Sequence, residues 1–224
     1  MSPSLLRASW AAVRRAGLLA PVAVAVVLSA ATAHLLDDGY GMQVLRGVGV
    51  LLACGWVSTM DDPMGEVAAA SPYSRRARSL TRAGAGMVVV LTVWVACATL
   101  VQVRAEAVPV LRLGLEALAL GFAGVALAAG LRFWAGHLQP SYVAVPGLVV
   151  LAVAINALPR GWDMMPAQVW GPLWEAAQVR WIALLLLGVG GLAAALRDPL
   201  TRSTTEHDGL AGHGARTWES PSST

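Results

Sequence analysis

Six apolar runs divide this chain, at roughly 17–36, 44–60, 84–103, 109–131, 142–158 and 180–197. The first reads LLAPVAVAVVLSAATAHLL, the third MVVVLTVWVACATLVQV and the last WIALLLLGVGGLAAAL. A helix rises 1.5 Å per residue, so about 20 apolar residues cross the ~30 Å hydrocarbon core of a bilayer. The second and fifth runs lie at the short end of that range. In hydrocarbon every backbone N–H and C=O must find its partner inside the spanning structure, which leaves helices or a closed barrel. Barrel strands are about 10 residues long and alternate in polarity, and these runs do not alternate. The expected fold is an all-α integral membrane protein with six transmembrane helices over 17–199. Composition agrees: 57% of residues are hydrophobic and 13% charged, with mean hydropathy +0.63, against about 25% charged in an ordinary soluble domain.

The charge is basic, +3 net with a pI near 9.4. Nucleic acid is not the reason. The basic residues cluster at the ends of the apolar runs with little aromatic interleaving, whereas a nucleic-acid surface gathers them on one face. All 16 of the Lys and Arg residues are arginine. A Walker A loop needs its lysine on the phosphates, so this chain carries none, and it cannot form a lysine Schiff base.

Arginine placement sets the expected orientation. With the N-terminus inside, the inner segments hold Arg7, Arg14, Arg15, Arg75, Arg76, Arg78, Arg82, Arg132, Arg197, Arg202 and Arg216. The outer face and its span ends hold Arg46, Arg104, Arg112, Arg160 and Arg180. That is 11 against 5, which puts both termini on the inner side of the membrane. Several of the outer arginines can snorkel or pair; Arg112 lies four residues before Glu116, on the same helix face.

The first run has two readings. Arg14-Arg15, an apolar stretch and then Ala31-Thr32-Ala33 resemble a cleaved leader. The apolar run continues through Leu35 and Leu36, and Leu6, Trp10, Val13 and Gly17 recur at helical spacing ahead of it. We therefore read an uncleaved first span behind an interfacial amphipathic helix over 1–16. Beyond Pro199, TRSTTEHDGLAGHGARTWESPSST is polar and rich in Ser, Thr and Gly, and is expected to be disordered over 200–224. No internal repeat is visible, and the two three-span halves lack the matched interruptions of an inverted-repeat transporter.

Catalytic chemistry finds little to stand on. His34 and His137 fall at span ends, and His207 and His213 in the tail, so no haem is held between facing helices. Cys54 and Cys97 lie within spans and read as small apolar packing groups rather than a metal site. No catalytic, cofactor or metal residue is assigned. Glycines stud the second, fourth and sixth spans and permit close helix approach; Gly47 and Gly55 are candidates for an interface or pathway. Asn156, polar within the fifth run, either lines a pathway or closes an interhelical hydrogen bond.

Two segments between spans are longer than turning requires. The outer one, 159–178, carries Trp162, Trp170 and Trp174, which suit the headgroup level, and is broken by Pro166, Gly171 and Pro172. It reads as short helices dipping into the outer leaflet, with a plain interfacial loop as the other reading. The inner one, 61–83, is MDDPMGEVAAASPYSRRARSLTRAG with its flanks. Asp61 or Asp62 caps a helix started by Pro63, and Ser71-Pro72 repeats the device. Two short helices result, about 63–70 and 72–82, the second running into the third span. Acid at the first start and arginine at the second end suit the macrodipole. This platform rests on anionic lipid through its arginines or docks a cytosolic partner.

Asp61-Asp62-Pro63, Glu66, Ala69-Ala70-Ser71-Pro72 and Arg75-Arg76, placed after the second of six spans, resemble the coupling region of actinobacterial ABC-2-type permeases. The resemblance covers about 1–200 and rests on layout more than on any one residue. It implies an ATPase-coupling role for Asp61, Asp62, Pro63, Glu66, Ser71, Arg75 and Arg76, and re-entrant helices between the fifth and sixth spans. It also implies a permease dimer, of this chain or with a sister, whose second and fifth spans face each other, and two separate ATPase subunits that hold the ATP and Mg. The chain itself would be no enzyme and would export an apolar or amphipathic substrate. The alternative is a non-transporting polytopic protein that anchors or regulates a cytosolic partner.

Overall fold

Each apolar run becomes one helix. A computed structural model describes residues 15–35, 40–61, 75–103, 108–137, 139–159, 162–166 and 171–196, with backbone alone at 15, 16, 35 and 75. The helices are α1 (Arg15–Leu35), α2 (Gly41–Ser58), α3 (Arg75–Gln102), α4 (Val110–Phe133), α5 (Ser141–Asn156) and α6 (Pro172–Ala195). Among the described residues there is no strand. Five of the helices are long and apolar enough to cross a membrane. The exception, α5, has 16 residues, about 24 Å of helix against a ~30 Å hydrocarbon core.

Boundaries follow local chemistry. The described part of α3 begins at Arg75, ahead of the apolar run; residues 72–74 of the helix expected over 72–82 lie outside the described residues. α6 starts at Pro172, not near 180 as the apolar run alone predicts. Gly171 is extended there and Pro172 occupies the first helical position, where its fixed φ and missing N–H cost nothing. The helix-forming WEAAQ sequence then carries the helix into the span. The outer segment expected over 159–178 therefore gives its last part to α6. α5 stops at Asn156, and Leu158, preceding Pro159, is disfavoured in the α region.

The remaining expectations fall elsewhere. The interfacial helix over 1–16 lies outside the described residues, except that 15 and 16 already belong to α1. Asp62, Pro63, Glu66, Ser71, Trp170, the Arg75 side chain and the 200–224 tail also lie outside them.

The helices alternate in direction. Gly17 of α1 lies against Ser58 and Gly55 against Leu18 and Pro21, so α1 runs opposite to α2. Gly86 meets Thr59 and Trp56 while Trp94 meets Gly49, so α3 also runs opposite. α4 runs with α2, since Gly49 meets Ala117, and Trp56 and Val57 meet Gly121 and Gly124. Gly188 and Gly191 of α6 meet Phe122–Ala123 and Ala126, so α6 runs with α4. One end of the bundle thus gathers the end of α2 with the start of α3 and α5. The other gathers the starts of α2, α4 and α6.

α2 is the axis of the packing. It packs against α1, α3, α4 and α5, and 67% of its span is buried, against 22% of the α6 span. Trp56 explains much of this. Its ring meets Phe122 edge-on at 5.0 Å, and its indole N–H donates to the Ala83 carbonyl at 2.8 Å. Glycine at 121 and 124 leaves room for Trp56 and Val57, the small-residue device that lets membrane helices approach. Hydroxyls inside the spans are satisfied locally: Ser29 and Thr32 donate to the Ala25 and Leu28 carbonyls one turn back. The outward faces carry Leu19, Val27, Val95, Leu186 and Leu187, side chains that a lipid environment tolerates and water does not. The chain is built as a multi-pass membrane protein.

Candidate functional site

Charged groups inside a membrane bundle are costly and mark its working parts. Here they form two buried clusters, one at each end of α2.

The first is the junction where α2 ends. Thr59 caps the helix, with Ser58 and Thr59 hydroxyls on the Gly55 and Trp56 carbonyls. The next two residues turn out of the helix, and their carbonyls are taken by arginines from other helices. Arg82 of α3 donates to Asp61 O at 3.1 Å, and Arg132 of α4 donates to Met60 O. Cations at a helix C-terminus complement its macrodipole. The Asp61 carboxylate then crosses to α5. It accepts from the Ser141 backbone N–H at 3.0 Å and from the Ser141 hydroxyl at 2.5 Å. α5 has no side-chain cap of its own, so Asp61 supplies from 80 residues away what an N-cap residue normally supplies locally. Asp61, Arg82 and Arg132 are all buried. Arg76 lies 5.9 Å over the Phe133 ring, and Arg132 lies 6.0 Å over the same ring. The 62–74 segment therefore leaves from, and returns to, a junction joining α2, α3, α4 and α5.

The second cluster centres on Arg46, near the start of α2. Its Nε donates to Glu116 Oε2 at 3.0 Å and its Nη2 to Glu116 Oε1 at 3.4 Å. The remaining donors reach the Met165 carbonyl at 3.1 Å and the Pro166 carbonyl at 3.4 Å. The guanidinium also lies 5.9 Å from the Trp174 ring centroid. Gln178 sits beside Glu116, and the Trp174 N–H stays buried without a partner. The space left between Arg46, Glu116, Gly49 and Met165 is about 10 Å³, on the scale of a single water. This cluster is a joint, not a ligand cavity.

Two larger cavities flank α2. One, about 380 Å³, lies between α3 and α4 with Gly49, Ala53, Trp56, Trp94 and Gly114 in its wall, and is nearly all apolar. The other, about 510 Å³, lies between α1, α2 and α5 and includes Ser58, Asp61, Ser141 and Tyr142.

The residues proposed from sequence are dispersed. Asp61 stands at the α2 junction and Arg76 beside it. Asn156 is the last residue of α5 and is exposed; it closes no interhelical bond, because the helix ends there rather than passing it through the bundle. Gly47 is exposed and open, while Gly55 is packed under α1. Trp162 is exposed at 68%, stacked on Arg180 at 5.4 Å. Trp174 is not at the surface expected of a headgroup tryptophan: it is fully buried against Arg46. α2 is exposed only at Gln43 and Gly47, so along most of its length it faces its own chain rather than a second copy. Arg112 does not pair with Glu116. It reaches Glu175 of α6 at 2.6 Å, because Glu116 faces inward to Arg46. Sequence reasoning missed Arg46, Glu116, Arg82 and Arg132 as a set. Their signal was available: Arg46 and Glu116 are ionisable residues within apolar runs, where a buried partner is the normal explanation. Among the described residues no three His, Cys, Asp or Glu side chains gather as metal ligands. No family model, no curated protein and no solved structure matches the chain.

Proposed function

We propose that this chain is the membrane-spanning permease subunit of an ABC transporter, exporting an apolar or amphipathic substrate across a bacterial cell membrane. Both termini and the 62–74 segment face the cytoplasm. Two ATPase subunits, which hold the ATP and Mg, dock beneath a pair of permeases. The observation that carries the reading is the anchoring of the 62–74 segment. Asp61 at its start is bonded to α3 and α5 at once, and Met60 to α4. A push on the segment is delivered to α2, α3, α4 and α5 together, which is what a coupling element must do. The apolar 380 Å³ cavity between α3 and α4 suits the proposed class of substrate. The exposed α5 residues Val149, Val150 and Val153 suit contact with a second permease, and α2 takes no large part in it.

The test is the docking contact. Glu66 stands in the first turns of the expected 63–70 helix, and Glu66→Arg reverses a charge that pairs across such an interface. Removing one member of a buried charge pair costs about 2–5 kcal/mol of binding. Wild-type protein purified from native membranes should bring down a subunit with a Walker A motif, and Glu66→Arg should insert normally but lose it. Arg76→Glu distinguishes a platform that only holds anionic lipid: if the arginines only hold lipid it spares the complex, whereas a coupling role for Arg76 makes it weaken the complex as Glu66→Arg does. Absence of any such ATPase from the wild-type preparation would instead favour a non-transporting membrane anchor.

A further inference from the structure

Four consecutive carbonyls, those of Asp163, Met164, Met165 and Pro166, each accept a hydrogen bond from a buried or stacked side chain. Arg180 Nη1 takes Asp163 O at 3.0 Å and the Trp181 indole takes Met164 O at 2.7 Å. Arg46 takes both Met165 O and Pro166 O. The Asp163 carboxylate closes the turn by accepting the Met165 N–H at 2.7 Å. Irregular backbone at a membrane boundary needs such partners, but their distribution is uneven. The first two donors are neighbours on α6, and Trp181 is fully buried. The last two bonds both come from one guanidinium on α2, which Glu116 of α4 holds in place.

The geometry points to Arg46 as the release point of a latch: the 162–166 strap travels with α6 and lets go of α2 where the guanidinium holds it. Arg46 is a positioning residue in this device, and Glu116 positions Arg46. α6 packs on α4, and at this end it meets α2 through the strap and through Trp174, whose ring lies 5.9 Å from the Arg46 guanidinium. Because α2 is one rigid element, fixed at its far end by Arg82, Arg132 and Asp61, a displacement begun at that junction arrives at the latch. That last link rests on the permease reading; the latch itself does not.

The experiment needs no ATPase and no knowledge of sidedness. The full chain carrying Met165→Cys is placed in nanodiscs, where both faces meet water, and treated with a water-soluble maleimide. Labelled sites are read by peptide mass spectrometry. Native Cys54 and Cys97, both buried, report on the bundle. The parent should label slowly at position 165. Arg46→Gln should speed this at least about tenfold, the scale of losing hydrogen bonds from a charged donor. The decisive variant is Arg46→Glu with Glu116→Arg. It keeps an ion pair between α2 and α4 but turns a carboxylate on the two carbonyls, so the strap should open while Cys97 stays unlabelled. It also serves if Arg46→Gln does not fold. Parent-like labelling in the charge-swapped variant overturns the latch, as does labelling of Cys97 together with position 165, which would mean that the pair holds the bundle and not the strap. Absence of an ATPase from the wild-type preparation, which would count against the permease reading, would leave these results untouched.

Discussion

Arg46 of α2 and Glu116 of α4, 70 residues apart in the chain, face each other through two bonds of 3.0 and 3.4 Å with side chains only 5% and 3% exposed. Four residues before Glu116, Arg112 turns outward to Glu175, and that pair is 35% and 61% exposed. The two ion pairs have similar chemistry and opposite surroundings. Desolvation makes a buried pair nearly neutral against a well-packed apolar pair, yet makes removal of one partner severe, because the survivor is a buried charge. An exposed pair is screened and contributes about 0–1 kcal/mol.

Glu116→Gln should therefore cost about 3–5 kcal/mol of stability, and Arg112→Ala no more than about 1 kcal/mol. Replacing both members of the buried pair by Met and Leu should recover most of the loss. Unfolding of the purified protein in mixed micelles of increasing denaturing detergent measures all three. Equal losses from Glu116→Gln and Arg112→Ala would show that burial in the bundle does not separate the two pairs.

What was legible in the sequence follows from range. The apolar runs are local, so the helices were readable, and so was the helical continuity of Arg75 to Arg82 with the third span. The start of α6 was misplaced because apolarity was used as the boundary, while Pro172 after Gly171 sets it by backbone geometry. Trp174 was assigned to the surface for the same reason: once α6 begins at 172, its first turn faces Arg46. The ion pairs were not legible as partners, because the i,i+4 spacing of Arg112 and Glu116 is a local argument and helix–helix contacts override it. The Asp61–Ser141 bond spans 80 residues and leaves no periodic trace. Asp61 or Asp62 reads as the cap of the helix expected over 63–70, which lies outside the described residues; that the Asp61 carboxylate holds the start of α5 has no local signal.

Asp61→Ala should loosen the first turn of α5. Loss of a capping side chain costs about 0.5–2 kcal/mol, and here it frees both the Ser141 N–H and its hydroxyl. Ser141→Ala keeps the N–H bond and should cost less. Hydrogen exchange of the amides at 141–144 resolves the two, with faster exchange in Asp61→Ala. Unchanged exchange there would mean that the carboxylate does not hold the helix start.

Glycines of α6 divide by what lies opposite them. A Cβ at Gly188 would sit 2.8 Å from Ala123 N of α4, while one at Gly190 would meet nothing within 4 Å. Gly188→Ala must push two helix backbones apart and should destabilise by about 1–3 kcal/mol. Gly190→Ala should be neutral or slightly stabilising, since alanine is better than glycine in a helix by up to about 1 kcal/mol. The same detergent titration reads both, and a loss at Gly190 equal to that at Gly188 would place the α4–α6 contact elsewhere.

The orientation rests on arginines, and some of them turn out to be structural. Arg46, Arg82 and Arg132 are buried clamps, so their positions answer to packing rather than to insertion. Setting them aside reduces the inner eleven to nine and the outer five to four, and the bias keeps its sign. The 162–166 strap and the 62–74 segment belong to opposite ends of α2, as the contacts of Arg46 and Asp61 place them. One impermeant reagent therefore distinguishes the two orientations. In intact cells a membrane-impermeant maleimide should label Trp162→Cys, at a site 68% exposed, and should leave Ser74→Cys unlabelled until the cells are permeabilised. The native thiols are buried and give little background. Labelling of Ser74→Cys in intact cells, with Trp162→Cys protected, would put the 62–74 segment on the side without ATP. No cytosolic ATPase reaches that side, so the permease proposal would fall with the orientation, while the latch, tested with both faces in water, would stand or fail on its own result.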